Sequence, residues 1–305
     1  MPSGGQLAAL ARATAVTVHL LTGPLLAVDG DNLAHRAYHA LPKTMTGVAG
    51  LPVNAIVGWT NMLLQVWETE RPRAAYIAWD TLGVPTYRHT LWPAYQAGRA
   101  FDRELLDQLS ELPALARAFG FTSGKQSGYE ADDLIAAAVV QETKSGGTSL
   151  IFTNDRDSYQ LVSEAVTVLS PRKGMAQLAR IGPREVAEHF GVAPSQVADF
   201  KALAGDPSDN IPGARGIGPK SAASLLRRFG SLEAVLEARG QQGGPDEPER
   251  LLLFREVVRL QTEVAVEIPE SAPPDWLAGA RALRALGVEK LADRIAQRAS
   301  MLPGL

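Results

Sequence analysis

The sequence predicts an α/β fold with a mainly parallel central sheet flanked by helices. Three short apolar runs, at residues 25–29, 74–80 and 149–155, have the length of buried strands. Each run ends in an aspartate, and segments of helical period separate the runs along the chain. Strands that alternate with helices are typical of parallel sheets. Because ligands of such sheets bind outside the carboxyl ends of the strands, the three aspartates are expected to meet there.

Helical patterns separate these strands and dominate the second half of the chain. Between the strands they cover residues 54–70, 102–119 and 130–144. After about residue 180 strand-like runs become rare, which predicts a second, helical domain. Its helices are predicted at residues 183–190, 194–203, 220–229, 231–237 and 247–261, with turn-rich stretches at 205–218 and 240–248.

The two ends of the chain carry weaker patterns. Residues 1–24 are predicted to form an N-terminal extension. Residues 271–305 are predicted to form a C-terminal helical tail, with one helix at 288–298. The α/β domain is therefore expected at residues 25–180 and the helical domain at 181–270.

Composition excludes several classes of protein. With 305 residues, of which 46% are apolar and 21% charged, the chain has the composition of a folded globular protein. The sequence contains no cysteine, which excludes disulfides, thiolate metal sites and cysteine nucleophiles. The apolar stretch at residues 14–28 is interrupted by His19, Gly23 and Pro24, so neither a transmembrane helix nor a signal peptide is predicted. A cytoplasmic protein is expected.

The net charge of −3 hides an uneven distribution. Residues 128–157 contain six acidic and two basic residues, whereas residues 201–230 contain five basic and two acidic ones. This order suggests that cations are bound in one region and polyanions in another. Ordinary solvated helix faces account for the charges equally well, and charge alone leaves both explanations open.

Nine carboxylates are candidates for a metal site. Taken singly, each has a structural explanation, because aspartates and glutamates close strands, cap helices and favour the first helical turn. Taken together they favour divalent cations, because Mg²⁺ prefers oxygen ligands and converging carboxylates repel one another without a metal. Two such ions roughly 4 Å apart can activate a water and stabilise the leaving oxygen of a phosphodiester. The nine residues are Asp29, Asp80, Glu130, Asp132, Asp133, Asp155, Asp157, Asp206 and Asp209.

A second candidate site is the glycine-rich stretch at residues 205–222, GDPSDNIPGARGIGPKSA. Its glycines let the backbone approach a phosphate, and Pro219 begins a helix whose N-terminus attracts anions. Sequence-independent binding to the DNA backbone is the favoured interpretation, and a plain connection between two helices is the alternative. The basic residues nearby are Arg215, Lys220, Arg227 and Arg228.

These motifs, in this order, resemble the bacterial 5′-3′ exonuclease and flap endonuclease family, which includes the N-terminal domain of bacterial DNA polymerase I and phage 5′-nucleases. The similarity runs from about residue 25 to residue 237. Two motifs are highly specific in combination: GYEADD, and the stretch in which GDPSDNIPG is followed by GIGPK. The matching segments are AVDG at 27–30, WD at 79–80, GYEADD at 128–133, TNDRD at 153–157 and the stretch at 205–222.

The resemblance implies a PIN-like 5′-nuclease core with a helical arch at about residues 82–104. It also implies a C-terminal helical clamp of the helix-hairpin or helix-two-turn-helix type, with its turn at 205–222. The implied activity is that of a two-metal, structure-specific 5′ nuclease, both 5′-3′ exonuclease and flap endonuclease, that hydrolyses DNA phosphodiesters in replication and repair. Because the chain stops at Leu305, a nuclease without an attached polymerase is expected.

The same resemblance implies the site residues. A first Mg²⁺ or Mn²⁺ ion would be bound by Asp29, Asp80, Glu130 and Asp132, and a second by Asp155, Asp157 and Asp206, with Asp133 and Asp209 close behind. Asp155 and Asp157 are also predicted to be catalytic. A potassium ion is implied in the clamp turn at about 217–221. The predicted DNA-binding residues are Arg88, Arg99, Arg215, Gly216, Gly218, Lys220 and Ser221.

The predicted arch departs from the family pattern at one position. Residues 95–99, YQAGR, correspond to a family Tyr-Lys-x-x-Arg motif, so Gln96 stands where the family has lysine. Glutamine donates hydrogen bonds but carries no charge to stabilise the scissile phosphate. Arg99 lies one helical turn further if the arch is helical, and it is expected to supply that charge. Arg88 is the second candidate for supplying this charge, and a third metal ion is the third candidate. Both arginines are therefore predicted to be catalytic.

The implied partners are DNA molecules with 5′ flaps, nicks, gaps or free 5′ ends. A monomer without membrane contact, associated with the nucleoid and cooperating with a DNA polymerase and a ligase, is expected. One alternative is a non-catalytic junction-binding protein that keeps the clamp, which the full set of carboxylates disfavours. Another is a phosphatase-like or RNA-cutting relative, which would not need the clamp.

Overall fold

Six strands form the central sheet of the computed structural model, which describes residues 23–98, 100–172, 177–240 and 247–301. The strands are β1 (Leu25–Asp29), β2 (Ala74–Trp79), β3 (Thr122–Lys125), β4 (Ser149–Phe152), β5 (Val166–Pro171) and β6 (Leu178–Ile181). Their order across the sheet is β3-β2-β1-β4-β5-β6. The first five strands are parallel, and β6 pairs antiparallel with β5 at one edge. The predicted mainly parallel α/β fold is confirmed.

Twelve α-helices lie in the described part of the chain. They are α1 (Gly30–Ala40), α2 (Asn54–Glu70), α3 (Tyr87–Leu91), α4 (Arg103–Ala118), α5 (Ala131–Lys144), α6 (Pro183–Phe190), α7 (Val197–Ala204), α8 (Pro219–Phe229), α9 (Leu232–Arg239), α10 (Glu247–Val258), α11 (Trp276–Ala285) and α12 (Glu289–Met301). None of these helices has both the length and the apolar character needed to cross a membrane.

The two faces of the sheet carry separate apolar clusters, because successive residues of a strand point to opposite sides. Leu26 of β1 packs in the cluster that contains Trp59 of α2. Its neighbour Ala27 packs on the other face, in the cluster that contains Ile135 of α5. All four side chains are fully buried. The alternation holds the carboxyl end of β1 between two packed layers.

Helices α7 to α10 share a third apolar cluster, in line with the predicted helical second part. Leu203 of α7, Leu226 of α8 and Phe254 of α10 are fully buried in it. Tyr95, from the connection between α3 and α4, belongs to the same cluster. Val186 of α6 packs instead with the sheet, so the boundary between the two domains at residues 180 and 181 stays a prediction.

Several elements were not predicted from the sequence. Strand β3 has the sequence TSGK at the sheet edge, so no apolar run marked it. Helix α11 was also missed, and Leu283 in it packs in the same cluster as Ile295 of α12 and Leu112 of α4. The C-terminal tail therefore completes the core on one face of the sheet. A helical arch was predicted at about residues 82–104. Among the described residues of that range, the short helix α3 and the first residues of α4 are helical.

Candidate active site

A cleft of about 620 Å³ opens where β1, β2 and β4 end. β1 lies between β2 and β4, where the order of the strands reverses, and ligands of parallel sheets bind at this kind of position. Seven of the nine predicted carboxylates line the cleft: Asp29, Asp80, Glu130, Asp132, Asp155, Asp157 and Asp209. The structure therefore brings together most of the acidic residues that the sequence singled out.

Hydrogen bonds fix the carboxylates at the ends of β1 and β2. Asp29 accepts from the N–H of Asn32 at 3.0 Å and from the hydroxyl of Thr153 at 2.9 Å. Asp80 accepts at 2.7 Å from the N–H of Ala131, the first residue of α5. Its charge thus lies at a helix N-terminus, where anions are favoured. Both side chains are held in place before any ligand binds.

Burial and mutual repulsion disfavour the charged form of the carboxylates on the cleft floor. Burial raises the pKa of Asp132 well above its ordinary value, and the charges of Asp155, Asp29, Asp80 and Glu130 raise it further. Burial, followed by the charge of Asp80, likewise raises the pKa of Asp29. Oδ1 of Asp132 is buried and has no hydrogen-bond partner in the described part of the chain. A divalent cation would pair these charges and supply the missing partner.

Glu130 is held by two hydroxyl groups. Its Oε2 accepts from Tyr95 at 3.0 Å, and its Oε1 accepts from Thr86 at 3.3 Å. Burial raises the pKa of Glu130 to about 7. The positive charge of Arg88 lowers this pKa, and the negative charge of Asp80 raises it. These contacts leave a nearly buried carboxylate at the cleft wall that is only partly ionised near neutral pH.

Asp31 is a cleft residue that the sequence analysis missed. It is buried, lines the cleft, and accepts a hydrogen bond from the N–H of Asp80 at 2.8 Å. Burial, then the charge of Asp80, raises its pKa to about 7. The available sequence signal was a second aspartate two positions after Asp29, which ends β1.

Arg88 and Asp133 form a buried ion pair, an arrangement that differs from the phosphate contact and the metal contact predicted for them. The guanidinium donates to the two oxygens of Asp133 at 2.6 and 2.7 Å and to the carbonyl of Val257 at 2.9 Å. Asp133 also accepts from the N–H groups of Glu130 and Gln261. The side chains are 3% and 0% exposed. Because these contacts occupy both groups, Arg88 is not placed to grip a phosphate and Asp133 is not placed to bind a metal.

A lysine lies between two carboxylates that were predicted to bind the second metal. Nζ of Lys201 contacts the carboxylates of Asp157 and Asp206, and lies 2.6 Å from Oδ2 of Asp206. Burial acts to raise the pKa of Asp206, but Lys201 and hydrogen bonds from Ser208 outweigh burial, and the pKa is lowered. Sequence analysis did not identify Lys201, whose only signal was a basic residue five positions before Asp206.

Asp155 connects the two groups of carboxylates. Its own N–H donates to the hydroxyl of Thr153 at 3.0 Å, and its Oδ1 accepts from the N–H of Asp157 at 2.9 Å. Its charge also contributes to the raised pKa of Asp132. Asp155 therefore lies between the residues predicted for the first ion and those predicted for the second.

The connection around Gln96 packs onto the helical part of the molecule and is not a helix. Residues 93–98 form turns, and Gln96 has a positive φ of 48°. Its Nε2 donates to Oδ1 of Asp209 at 3.0 Å and to the hydroxyl of Tyr95 at 2.8 Å. Asn210 donates to the carbonyl of Ala94 at 2.9 Å. Residues 93–98 are therefore not the helix on which the predicted role of Arg99 depended, and Arg99 itself lies outside the described residues.

The glycine-rich stretch begins α8 with an exposed basic end. Gly218 is the N-cap and Pro219 the first residue of the helix, while Arg215, Lys220 and Ser221 are exposed. Gly216 has a φ of +75°, and a Cβ at Gly216 or Gly218 would have open space around it. The backbone at these two glycines is thus open to an approaching ligand.

The carboxylates are not yet spaced like a closed metal site. Within the described ranges, no group of three carboxylate or imidazole side chains is arranged to hold an ion. Repulsion keeps unpaired carboxylates apart, and Mg²⁺ retains several waters, so it needs few direct protein ligands. The buried Oδ1 of Asp132 and the oxygen-only donor set nevertheless fit a hard divalent cation.

Comparison with known families gives two matches that together cover most of the chain. The profile described as 5′-3′ exonuclease, N-terminal resolvase-like domain, matches residues 24–191. The profile described as 5′-3′ exonuclease, C-terminal SAM fold, matches residues 192–274.

Similar proteins include DNA polymerase I of Mycobacterium bovis, which is 38% identical over 259 residues. These are 83% of this chain and 28% of that protein. The thermostable DNA polymerase I of Thermus thermophilus is 38% identical over 244 residues, which are 80% of this chain and 28% of that protein. The chain therefore spans little more than a quarter of the length of these relatives.

Two solved structures show the same fold. One is described as divalent metal ions (zinc) bound to T5 5′-exonuclease, with a TM-score of 0.63 and 22% identity over 90% of this chain and 98% of that one. The other, the catalytic core of Rad2 in complex with DNA substrate, has a TM-score of 0.60 and 16% identity over 90% and 92% of the two chains.

We predict that Arg88→Met lowers the free energy of unfolding by about 3–5 kcal/mol, because it leaves the buried Asp133 charge unpaired. The double variant Arg88→Met/Asp133→Asn should recover part of this loss. Urea unfolding measures both, with Arg103→Met as the control, since Arg103 is an exposed ion-paired arginine. If Arg88→Met unfolded like the parent but bound DNA more weakly, the phosphate-gripping role would be correct after all.

A second prediction concerns pH. A carboxyl whose pKa is raised in the folded state stabilises the fold below its unfolded pKa of about 4, and this stability is lost as pH rises through the folded pKa. For Asp31 and Glu130 that window runs from about pH 4 to about 7. In the presence of a chelator, the melting temperature should therefore fall across this range.

Asp132→Asn should reduce that fall, because it removes one of the repelling charges. At pH 8 in a chelator the variant should melt above the parent, and at pH 4 the two should melt together. Asp107→Asn, at an exposed position on α4, is the control. An Asp132→Asn protein that melts below the parent at pH 8 would contradict the repulsion inferred here.

Proposed function

The chain belongs to the 5′-3′ exonuclease family, and we propose that it is a divalent-metal-dependent, structure-specific 5′ nuclease that acts on DNA. The observation that carries this proposal is the set of seven carboxylates around one cleft, with the buried Oδ1 of Asp132 lacking a partner among the described residues. The proposed substrates are 5′ flaps, nicks, gaps and free 5′ ends. Hydrolysis at these sites serves replication and repair.

Asp29, Asp80, Glu130 and Asp132 would hold a first Mg²⁺ or Mn²⁺, and Asp155 with Asp157 and Asp206 a second. Bound there, such ions would supply Lewis-acid chemistry: activation of a water molecule and stabilisation of negative charge on the phosphodiester oxygens. The protein's own contribution is orientation. Thr153 and the N–H of Asn32 aim the carboxylate of Asp29, and the two hydroxyls on Glu130 aim that side chain. Because the carboxylates are already ordered, the site needs little reorganisation during the reaction.

Gln96 at the cleft wall would bring no positive charge to the scissile phosphate. Its amide is held by Asp209 and Tyr95, and it lines the cleft. A neutral amide stabilises phosphate charge less well than an ammonium. Arg99 stays the proposed source of the missing positive charge, and the ion pair of Arg88 with Asp133 favours Arg99 over Arg88 in this role.

The glycine-rich stretch would bind the duplex part of the substrate through its phosphates. Open backbone at Gly216 and Gly218, the N-terminus of α8 and the exposed Arg215, Lys220 and Ser221 support this. The potassium ion at about 217–221 belongs to the same proposal. We also propose that the protein is a monomer, that it associates with the nucleoid, and that it cooperates with a DNA polymerase and a ligase.

Asp155→Asn is expected to lower the single-turnover cleavage rate of a 5′-flap substrate at least a hundredfold, about 2.7 kcal/mol of transition-state stabilisation. Asparagine keeps the oxygen that accepts the Asp157 N–H, so the loop geometry is preserved while the charge is lost. DNA binding should stay within twofold of the parent. Asp107→Asn is the matched control.

The rival interpretation, a non-catalytic junction-binding protein, predicts another outcome. In that case the parent protein would bind the flap substrate but release no labelled product with either Mg²⁺ or Mn²⁺. Near-normal cleavage by Asp155→Asn would instead show that the metal ligands are wrongly assigned.

For the clamp, Lys220→Ala should weaken binding to nicked duplex and reduce the slope of log K against log salt by about 0.9, the value for one phosphate contact. Titrations at several salt concentrations measure this, with Lys290→Ala on α12 as the control. An unchanged slope would exclude a phosphate contact at Lys220.

A further inference from the structure

Lys201 is an unusual residue in this cleft because it is a lysine buried among acids. Its side chain is 8% exposed, and those of Asp157 and Asp206 are 13% and 12% exposed. Lys201 lies on α7, Asp157 follows β4, and Asp206 begins the glycine-rich stretch. Burying a charge is costly unless it is paired, so the three groups stabilise one another.

The ammonium uses oxygens that a metal ion would need. Oδ2 of Asp206 is 2.6 Å from Nζ of Lys201, and Oδ1 of Asp206 accepts from the N–H of Ser208 at 3.0 Å. Oδ1 of Asp157 accepts from the same ammonium. An ion coordinated through Oδ1 of Asp157 or Oδ2 of Asp206 would therefore compete with Lys201 for that oxygen.

The other carboxylates have a different charge balance. Asp132 is surrounded by Asp29, Asp80, Asp155 and Glu130, whose charges all oppose its ionisation. Around Asp157 and Asp206, one of two negative charges is already neutralised by Lys201. In the first group the nearby cation is Arg88, 3.5 Å from Oε2 of Glu130, and its charge is already paired with Asp133. Attraction for a divalent cation is therefore stronger at the first group than at the second.

We propose that Lys201 is an internal counter-cation at the position of the second divalent ion, so that the chain binds one ion tightly and a second only in competition with the ammonium. This inference rests on the proposed function, since it assumes that the cleft binds divalent ions. It makes Lys201 a residue that sets the metal requirement of the reaction without contacting the substrate. In the absence of ions, Lys201 also keeps Asp157 and Asp206 from repelling each other.

The test is a Mn²⁺ titration of the full chain after chelator treatment, with free Mn²⁺ followed by electron paramagnetic resonance. The parent should show one tight and one weak site. Lys201→Met should bind the second ion at least tenfold more tightly, because the competing charge is gone. Lys201→Gln, which keeps length and hydrogen-bonding capacity, should shift in the same direction, and Lys201→Arg should resemble the parent. Lys144→Met, which removes an exposed ion-paired lysine, is the control.

A second measurement uses the melting temperature and does not require the number of bound ions. In a chelator, Lys201→Met and Lys201→Gln should melt below the Lys144→Met control, and saturating Mn²⁺ should abolish the difference. Second-site affinity that is equal in parent, Lys201→Met and Lys201→Gln would overturn the inference while leaving the proposed function intact. Weaker binding in the neutral variants would overturn it as well. Absence of Mn²⁺ binding in every protein would overturn the proposed function and this inference with it.

Discussion

Negative charge concentrated at the ends of three parallel strands is the constraint on which the rest of this structure depends. Parallel strands direct their carboxyl ends to the same edge, so Asp29, Asp80 and Asp155 meet because β1, β2 and β4 are neighbours. Packed helices cover both faces of the sheet, and burial raises the cost of ionising Asp29. Every polar contact around the cleft can be understood as a response to that cost.

The response differs from one carboxylate to the next. Asp133 has a complete internal partner in Arg88, and its role is structural. Asp157 and Asp206 share the ammonium of Lys201. Among the described residues no hydrogen-bond partner reaches Oδ1 of Asp132, and the pKa of Asp132 is raised by burial and by neighbouring acids. Uncompensated charge is thus concentrated on the floor of the cleft, where a bound cation stabilises the protein most.

The wall of the cleft is built by packing between distant parts of the chain. Tyr95 is buried with the apolar residues of α7 to α10 while its hydroxyl reaches Glu130. Gln96 contacts Asp209, and Asn210 donates to the carbonyl of Ala94. The helical C-terminal part therefore positions the connection that closes the cleft. The carboxylate cleft and the helical C-terminal part are connected through these few hydrogen bonds.

The sequence by itself determined the α/β fold, the helical second half and the convergence of acids at the strand ends, because apolar periodicity and strand-terminal aspartates are local features. Only the tertiary structure decided which acids face the cleft. Asp133 adjoins Asp132 in sequence but points to Arg88, and Asp31 enters the cleft through its hydrogen bond with Asp80. Lys201 and Asp157 are 44 residues apart. Partners at such separations are chosen by packing, since the pairing of a buried charge depends on which helix lies beside it and not on its neighbours in the chain.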